Sequence, residues 1–387
     1  MPSDLPPALR ALLDVGGTLL ERSSNGRVAL GRAAGIVAPG RLPPPLRRLE
    51  ARLARAREEA SVPLPPKRVE RTLRDAWGRA AARVLDELDL ESPAAVTPLA
   101  QVHRGELDGA PVAVKVRRPG LDAAVRADLT LLDGLRPPLG AVIPRLDTGR
   151  LLTQIREQAL DELDLEHEAA QQRAVRRALA RVEGVVVPAA YGELAAAEVS
   201  VSEWLEGPSL AQQAAADPDP TARALVAAHV TAARAGLILI DSRPNHVLFM
   251  PDGTVGLLGT GSAVAGDRDR LDALLALPGA VRDPDPAPFV ALVGDRLGLL
   301  AGPAQAAEAH TLVREVLGPL VIGPARLDGR AAREIGARAL DELPEALALL
   351  AAGSPDPADV WLARGTFQLA AVLAQVGARE DWVALTG

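Results

Sequence analysis

The chain has 387 residues, a formal net charge of −7 and a sequence pI near 5.4. This length suffices for several domains or for one two-lobed, enzyme-sized body. The acidic balance excludes an electrostatic nucleic-acid binder, because such proteins need a basic surface to displace counterions from phosphate. The absence of cysteine excludes disulfides, thiolate metal sites and cysteine nucleophiles, and five histidines argue against a multi-histidine metal site.

Targeting and membrane-spanning patterns are not evident in the sequence. The N-terminal stretch MPSDLPPALRALLDVGG lacks a charged start followed by a long apolar run, so we predict no signal peptide. The most apolar segments, such as GLILI and EALALLAAG, are much shorter than the ~20 apolar residues that span a bilayer. We therefore expect a soluble, cytoplasmic protein with no transmembrane segment, the C-terminal stretch DVWLARGTFQLAAVLAQVGARED included.

Helical spacing dominates the first part of the chain, and a β-rich region begins near residue 96. Residues 5–90 are predicted to form helices separated by proline-rich turns such as RLPPPLRR. The runs PLAQVHRGEL and PVAVKVR are then joined by Asp-Gly, a typical β-hairpin turn. Residues 120–180 return to helical spacing, and VVVPAAY and EVSVSEWLEG predict two further strands.

The remaining sequence is mostly helical and contains one more predicted hairpin. A helix is expected over 219–236, and HVLFM and TVGLL flank a Pro-Asp-Gly turn. This order of elements is typical of an α+β, protein-kinase-like bilobed fold, with a small antiparallel sheet lobe and a mostly helical lobe. We expect a helical N-terminal extension at 1–95, a small lobe with inserted helices at 96–210, and a helical lobe with C-terminal helices at 211–387.

Lys115 is the most informative residue of the β-rich region. It is one of two lysines in the chain, the other being Lys67, whereas the remaining basic residues are arginines. In PVAVKVR, strand alternation places the valines on one face, toward a core, and Lys115 with Ala113 on the other. Kinases hold the α- and β-phosphates with a strand lysine, whose ammonium is a compact point charge. A solvated strand lysine is the alternative interpretation.

The sequence around Lys115 closely resembles a known family signature. PLAQVHRGELDGAPVAVKVRRPGL is similar to the signature of the UbiB/AarF-type (ABC1) atypical kinase-like proteins. ELDLEHEAAQQR, VSEWLEG and GLILIDSRPNHVLFMPDGTVGLLGTGS resemble, in order, that family's two-glutamate motif, its hinge, and its catalytic loop with the hairpin and metal-binding triplet. The resemblance runs from about residue 10 to at least 290, and several departures identify the chain as a degenerate member.

The resemblance implies ATP as a ligand between the lobes and a role for each matching residue. These residues are Lys115 for the phosphates, Glu168 as its ion-pair partner, Glu162 as the first acid of that motif, Ala113, Ala100 and Gln101 as further cofactor-binding residues, and Asp241 as the catalytic aspartate. On one continuous helix Glu162 and Glu168 are separated by about 120° around the axis, so only one of them can face Lys115. A solvated acidic helix face is the alternative for this run.

The expected magnesium ligands are missing. If 247–250 pairs with 255–258, positions 246 and 259 lie side by side, where the family has Asn and Asp. This sequence has His246 and Gly259 there. Magnesium requires hard oxygen ligands, imidazole suits softer metal ions, and glycine has no side chain. We therefore predict that the metal site is lost, unless a one-residue shift of the loop brings in Asn245.

Two further departures predict weak nucleotide affinity. The family's K-x-G-Q motif appears as DVGG, with Asp14 for the lysine and Gly17 for the glutamine. Its alanine-rich loop contains Val96, Thr97 and Pro98, which crowd a place where small residues let backbone amides approach phosphates.

Other nucleotide and hydrolase motifs do not fit. GLLGTGSAVAG begins a G-x-G-x-x-G pattern but has Val264 at the third glycine, and neither a Walker loop nor a G-x-S-x-G elbow is present. Two classes of function remain open. One is a pseudokinase that holds a nucleotide or another small molecule between the lobes, or contacts a protein partner through its surface. The other is an active ATP-dependent atypical kinase or ATPase linked to quinone or lipid metabolism.

Overall fold

The computed structural model describes residues 62–300 and 302–387, so the expectations for Asp14, Gly17 and most of the 1–95 extension lie outside the described residues. The helices are α1 (Pro66–Trp77), α2 (Leu121–Leu131), α3 (Arg136–Val142), α4 (Thr148–Asp161), α5 (Leu165–Ala178), α6 (Pro218–Arg234), α7 (Arg268–Leu275), α8 (Leu277–Arg282), α9 (Ala287–Ala291), α10 (Pro303–Leu317), α11 (Pro319–Ile322), α12 (Gly329–Asp341), α13 (Leu343–Ala352) and α14 (Asp359–Val376). The strands are β1 (Glu87–Leu88), β2 (Ala95–Val96), β3 (Ala100–Leu107), β4 (Ala110–Arg117), β5 (Val185–Val186), β6 (Val199–Glu203), β7 (Leu237–Ile238), β8 (Val247–Phe249), β9 (Val255–Leu257), β10 (Val264–Ala265), β11 (Ala325–Arg326) and β12 (Arg379–Glu380).

The small lobe is an antiparallel sheet in the order β1-β3-β4-β6, with β2 also pairing with β3. The β3–β4 hairpin turns at Asp108 and Gly109, which both have positive φ, as the Asp-Gly signal predicts. The valine face of β4 is buried, and Val69 and Leu73 of α1 pack in the same cluster. The core of the small lobe therefore extends back to Val69 and includes part of the segment assigned by sequence to the N-terminal extension.

The predicted continuous helix around Glu162 is interrupted. Helix α4 ends at Asp161 and α5 begins at Leu165, because the Asp164 carboxylate caps α5 by accepting hydrogen bonds from the backbone N–H groups of Glu166 and His167. The expectation of one helix through this run is wrong, and the angle of about 120° between Glu162 and Glu168 does not apply.

The large lobe is built around α6, whose buried residues pack against β5, β9 and the C-terminal helix α14. The predicted hairpin is present as β8 and β9, but Val247 pairs with Leu257, so the register differs by one residue from the expected one. The shift arises in the turn, where Met250 and Thr254 close a three-residue loop whose Gly253 has positive φ. Strand β5 joins this hairpin in parallel through β9.

The C-terminal helix α14 packs directly beneath the segment that carries Asp241. A Cβ at Gly365 would lie 2.5 Å from the Leu239 carbonyl oxygen, so only glycine allows this approach of helix to backbone. Near the start of α14, Asp359 accepts two hydrogen bonds from the Arg270 guanidinium of α7, at 2.6 and 2.5 Å. Among the described residues, no helix combines the length and hydrophobicity needed to cross a membrane.

Candidate functional site

Lys115 lies on the cleft face of β4 and forms an ion pair with Glu168 of α5. Its Nζ is 2.6 Å from both carboxylate oxygens, and the side chains are 32% and 16% exposed. The predicted ion pair is therefore present. Of the two acids of the motif, Glu168 contacts Lys115, whereas Glu162 caps the end of α4 and accepts a hydrogen bond from Gln158.

A glycine-rich turn packs against α5 beside the Lys115–Glu168 ion pair. The 3₁₀ turn Thr260–Ser262 follows β9 and packs against α5. A Cβ at Gly261 would lie 2.7 Å from the Glu168 carbonyl oxygen and would overlap its side chain. Gly261 thus allows the turn to contact the Glu168 backbone, which brings the Gly259–Gly261 triplet next to the Lys115–Glu168 pair.

Gln101 lies on the opposite face of the sheet from Lys115. It pairs with Val116, whereas Val102 pairs with Lys115, and directly paired residues share a face. The Gln101 side chain is fully buried; its Oε1 accepts a hydrogen bond from the Leu64 N–H, and its Nε2 is 2.8 Å from His103 Nε2. This placement does not agree with the cofactor-binding role expected of the Gln101 side chain, which instead connects the sheet to the segment before α1.

Ala113 and Ala100 lie on the same face as Lys115, as the β3–β4 register requires. Ala100 is buried, and its N–H donates to Thr97 Oγ1 at 3.0 Å, while the Thr97 hydroxyl donates to the Ala100 carbonyl at 2.8 Å. The Ala100 amide is therefore hydrogen-bonded within its own loop, where the family resemblance implies that backbone amides approach phosphates.

Asp241 is held by a salt bridge from its own loop. Arg243 donates a hydrogen bond to Asp241 Oδ2 at 2.8 Å, and the Asp241 side chain is only 11% exposed. The His246 ring is also adjacent, with Nδ1 3.5 Å from Oδ2. The carboxylate at the position where the resemblance implies the catalytic aspartate therefore has a guanidinium partner.

His246 and Gly259 fit each other sterically. The His246 ring occupies the space next to Gly259, so that a Cβ added at Gly259 would overlap His246 Nδ1. His246 Nδ1 is 2.9 Å from the Asp241 carbonyl, and Nε2 is 3.1 Å from an Arg243 nitrogen. The carbonyl can only accept and the guanidinium can only donate, so these contacts fit a neutral ring protonated on Nδ1. Burial, followed by the positive charge of Arg243, lowers the pKa of His246, which favours that neutral form.

These residues do not fit a magnesium ion. At the expected position, the Asp241 carboxylate is already bound to Arg243, the His246 imidazole is neutral, and Gly259 contributes no side chain. Asn245, the alternative oxygen donor, is exposed in the 3₁₀ turn Pro244–His246. Within residues 62–300 and 302–387, no group of three or more His, Asp or Glu side chains converges in a way that could hold a metal ion.

Arg364 of α14 is a partly buried cation, not identified from the sequence, that is influenced by the charges of the Asp241 loop. Its Nε is buried without a hydrogen-bond partner in the described part of the chain. Burial lowers the pKa of Arg364, and the charges of Asp241 and Arg243 act on it in opposite directions. Arg364 lies far along the sequence from the catalytic loop, in a segment whose pattern signalled only a helix.

His229 of α6, also not identified from the sequence, is hydrogen-bonded to the loop that carries Asp241. Its Nε2 is 2.7 Å from Ser242 Oγ, and its Nδ1 is 2.8 Å from the Leu225 carbonyl. Burial lowers the pKa of His229 to about 4, so the ring is neutral at neutral pH, donating to Leu225 and accepting from Ser242.

The sequence and the fold both match known proteins. The model of the ABC1 atypical kinase-like domain matches residues 57–263. The chain is 32% identical over 149 residues to a probable protein kinase UbiB of Aeromonas hydrophila and 30% identical over 140 residues to AarF domain-containing protein kinase 1 of Xenopus tropicalis. These alignments cover 37% and 36% of this chain but 27% of each relative, so they span about a quarter of the relatives' length.

A solved structure shows that the likeness of fold extends over nearly the whole chain. The structure of the complex of Rv3197 with erythromycin from Mycobacterium tuberculosis superposes with a TM-score of 0.65 over 97% of this chain and 95% of that one, at 23% identity. The α+β, kinase-like bilobed fold is therefore confirmed. Because the family model covers more than half of the sequence and includes Lys115, Glu168 and Asp241, the chain belongs to the ABC1 atypical kinase-like family, together with the UbiB and AarF proteins.

Proposed function

We propose that this protein is a pseudokinase that binds a nucleotide weakly between its lobes, without magnesium and without phosphoryl transfer at kinase rates. The observation that carries the proposal is the arrangement of four residues: Gly259 provides no carboxylate, His246 occupies the adjacent space, and Arg243 forms a salt bridge with Asp241. A kinase requires metal ions that neutralise the phosphates and a carboxylate free to accept the substrate's proton.

Residual nucleotide binding is supported by the Lys115–Glu168 ion pair. Glu168 holds the Lys115 ammonium on the cleft face of β4, where it can donate to a phosphate oxygen. The Thr97–Ala100 hydrogen bonds reduce the number of backbone amides open to phosphate. The expected result is an affinity that depends on Lys115 and is lower than that of a kinase with an open phosphate loop.

Calorimetric titration of ATP in EDTA and in magnesium tests this proposal. We expect equal affinity in the two buffers, and ATP hydrolysis no faster than in an Asp241→Ala variant. Lys115→Met should weaken ATP binding by about 1.5–3 kcal/mol, since it removes one charge-assisted contact. Turnover of ~1 per second or faster that is lost in Asp241→Ala would overturn the pseudokinase proposal.

An active atypical kinase or ATPase is the second candidate. It is favoured by one specific observation, that Lys115, Glu168 and Asp241 all stand at their expected positions in the family pattern. The same turnover assay distinguishes the two candidates. Cytoplasmic location and a protein partner remain predictions from the sequence.

A further inference from the structure

The short segment before α1 is attached to the small-lobe sheet by two side chains. The N–H of Leu64 donates to Gln101 Oε1 at 2.8 Å, and the carbonyl of Val62 accepts a hydrogen bond from Arg118 Nη2 at 2.5 Å. Val62 is 63% exposed, so a hydrogen bond rather than side-chain burial holds this end of the segment. We refer to residues 62–64 as the strap.

Arg118 also holds the loop of residues 97–100, which leads into β3. Its Nε donates to the Thr97 carbonyl at 2.9 Å, and its backbone N–H donates to the Leu99 carbonyl at 2.8 Å. One guanidinium group therefore contacts the loop through Nε and the strap through Nη2. Because the guanidinium is planar and rigid, these two donors move together. A movement of the strap is thus transmitted to the loop, or else costs Arg118 a hydrogen bond.

Gln101, the residue that directly follows the loop, makes the second connection. Its side chain is fully buried, and His103 fixes the orientation of its amide. His103 Nδ1 lies 2.7 Å from the Asp89 carbonyl, which can only accept, so Nδ1 carries the hydrogen and Nε2 accepts from Gln101 Nε2 at 2.8 Å. The Gln101 oxygen is then directed at Leu64. Release of the strap leaves this buried oxygen without its partner, which is unfavourable, so the strap has one preferred position at the start of β3.

The loop held in this way is closed by hydrogen bonds between its own ends. The Thr97 N–H donates to the Ala100 carbonyl at 2.8 Å, and the Ala100 N–H donates to Thr97 Oγ1 at 3.0 Å. Ala100 lies on the same face of the sheet as Lys115, whereas the Gln101 side chain, to which the strap is bound, lies on the opposite face. The loop therefore connects the strap on one side of the sheet with the cleft on the other.

We infer that the strap is an autoinhibitory contact. With the strap bound to Arg118 and Gln101 the loop is held closed, and displacement of the strap opens the Thr97–Ala100 contacts at the edge of the cleft. A molecule that binds residues 62–64 and displaces them therefore acts on the cleft from the back of the sheet. The inference goes beyond the proposed function, and only the ATP titration described below depends on that function.

Amide hydrogen exchange of the full chain, measured at single residues, tests this inference. Leu64→Pro removes the N–H that binds Gln101, at a position that already has proline on both sides. We expect it to speed exchange of the Thr97 and Ala100 amides about fivefold or more. Arg118→Gln should do the same, because it removes the guanidinium that bridges strap and loop. Arg71→Gln is the matched control, since Arg71 is exposed on α1 and this variant should exchange like the wild type.

The coupling must also act in the reverse direction. Thr97→Val removes the hydroxyl that accepts from the Ala100 N–H, and it should speed exchange of the Leu64 amide across the sheet. Unchanged exchange of the Leu64 amide in Thr97→Val overturns the inference, and this test remains if Leu64→Pro does not fold. Wild-type exchange of the Thr97 and Ala100 amides in both Leu64→Pro and Arg118→Gln overturns it equally.

Calorimetric titration of ATP in EDTA separates the inference from the proposed function. Leu64→Pro should bind ATP more tightly than the wild type, because an open loop frees the Ala100 amide. No gain in affinity despite faster loop exchange overturns the inhibitory role of the strap. If neither protein binds ATP, the proposed function fails, and the exchange rates alone decide the inference. If the wild type binds ATP but loop exchange is the same in the variants, the inference fails and the proposed function stands.

Discussion

At the scale of single residues, His246 and Gly259 are mutually dependent. Gly259 has a φ of 71°, a region that favours glycine, and the His246 ring occupies the space that a side chain at 259 would need. The ring in turn donates to the Asp241 carbonyl and accepts from Arg243. The two positions where the resemblance implied metal ligands are therefore part of a packed, hydrogen-bonded cluster.

This dependence predicts a measurable coupling. Gly259→Ala should destabilise the protein by roughly 1–3 kcal/mol, because the new Cβ overlaps His246 Nδ1 and lies 3.0 Å from the Asp241 carbonyl oxygen. When Gly259→Ala is combined with His246→Ala, part of this loss of stability should disappear, because the overlapping ring is gone. The double-mutant cycle, measured by urea unfolding, should give a coupling energy of about 1 kcal/mol. Gly253→Ala is the control, since Gly253 also has positive φ but has no atom within 4 Å of an added Cβ. Additive effects in the cycle would contradict the steric account.

The residues of this site differ in how far sequence could predict them. Lys115, Glu168 and Asp241 lie in contiguous motifs, so their types and spacing could be recognised directly. The burial of Gln101 on the face opposite Lys115 could not be predicted from its motif, because strand alternation sends neighbours to opposite faces and a motif does not record which face meets a ligand. Arg364 could not be found, because α14 lies next to the segment that carries Asp241 only through tertiary packing.

At the scale of elements, local capping and close backbone contacts decided where helices end and dock. Asp164 caps α5 and divides a run whose apolar spacing predicts a single helix. Helix α14 docks through Gly365, whose lack of a side chain lets the helix approach the Leu239 carbonyl. Apolar periodicity predicted that these helices exist, but hydrogen bonds and steric contacts with other elements set their ends and orientations.

The docking of α14 can be tested with two glycine substitutions. Gly365→Ala should lower stability by about 1–3 kcal/mol, because its Cβ would lie 2.5 Å from a backbone oxygen that cannot easily move. Gly336→Ala, within α12, is the control: an added Cβ there has no neighbour within 4 Å, so helix propensity should make it neutral or stabilising by up to about 1 kcal/mol. Chemical denaturation of both variants measures the difference. Equal effects would show that α14 is not held by this contact.

At the scale of the whole molecule, the order of lobes followed from the order of motifs, whereas the extent of each core did not. Helix α1 joins the small-lobe core through Val69 and Leu73, although proline-rich turns made the preceding segment resemble a separate extension. The large-lobe core is closed by α14, which follows α6 only after many intervening helices. Contacts between residues so distant in sequence depend on the complete fold, so composition and periodicity do not predict them.

The stability of the whole molecule should depend on pH through His229, which links α6 to the catalytic loop. Its folded-state pKa is about 4, below the ordinary value of 6.5, so as pH falls the unfolded chain binds the proton first. The free energy of unfolding should therefore be highest above pH 6.5 and fall by up to about 3 kcal/mol as pH decreases to 4. His246, whose pKa is also lowered, contributes in the same direction.

Urea unfolding between pH 4 and 7.5 measures how steeply the free energy of unfolding depends on pH. His229→Gln should reduce this slope. His167→Gln is the control, because it replaces an exposed histidine and should leave the slope unchanged. A His229→Gln variant with the wild-type slope would show that the neutral His229 ring does not control acid stability.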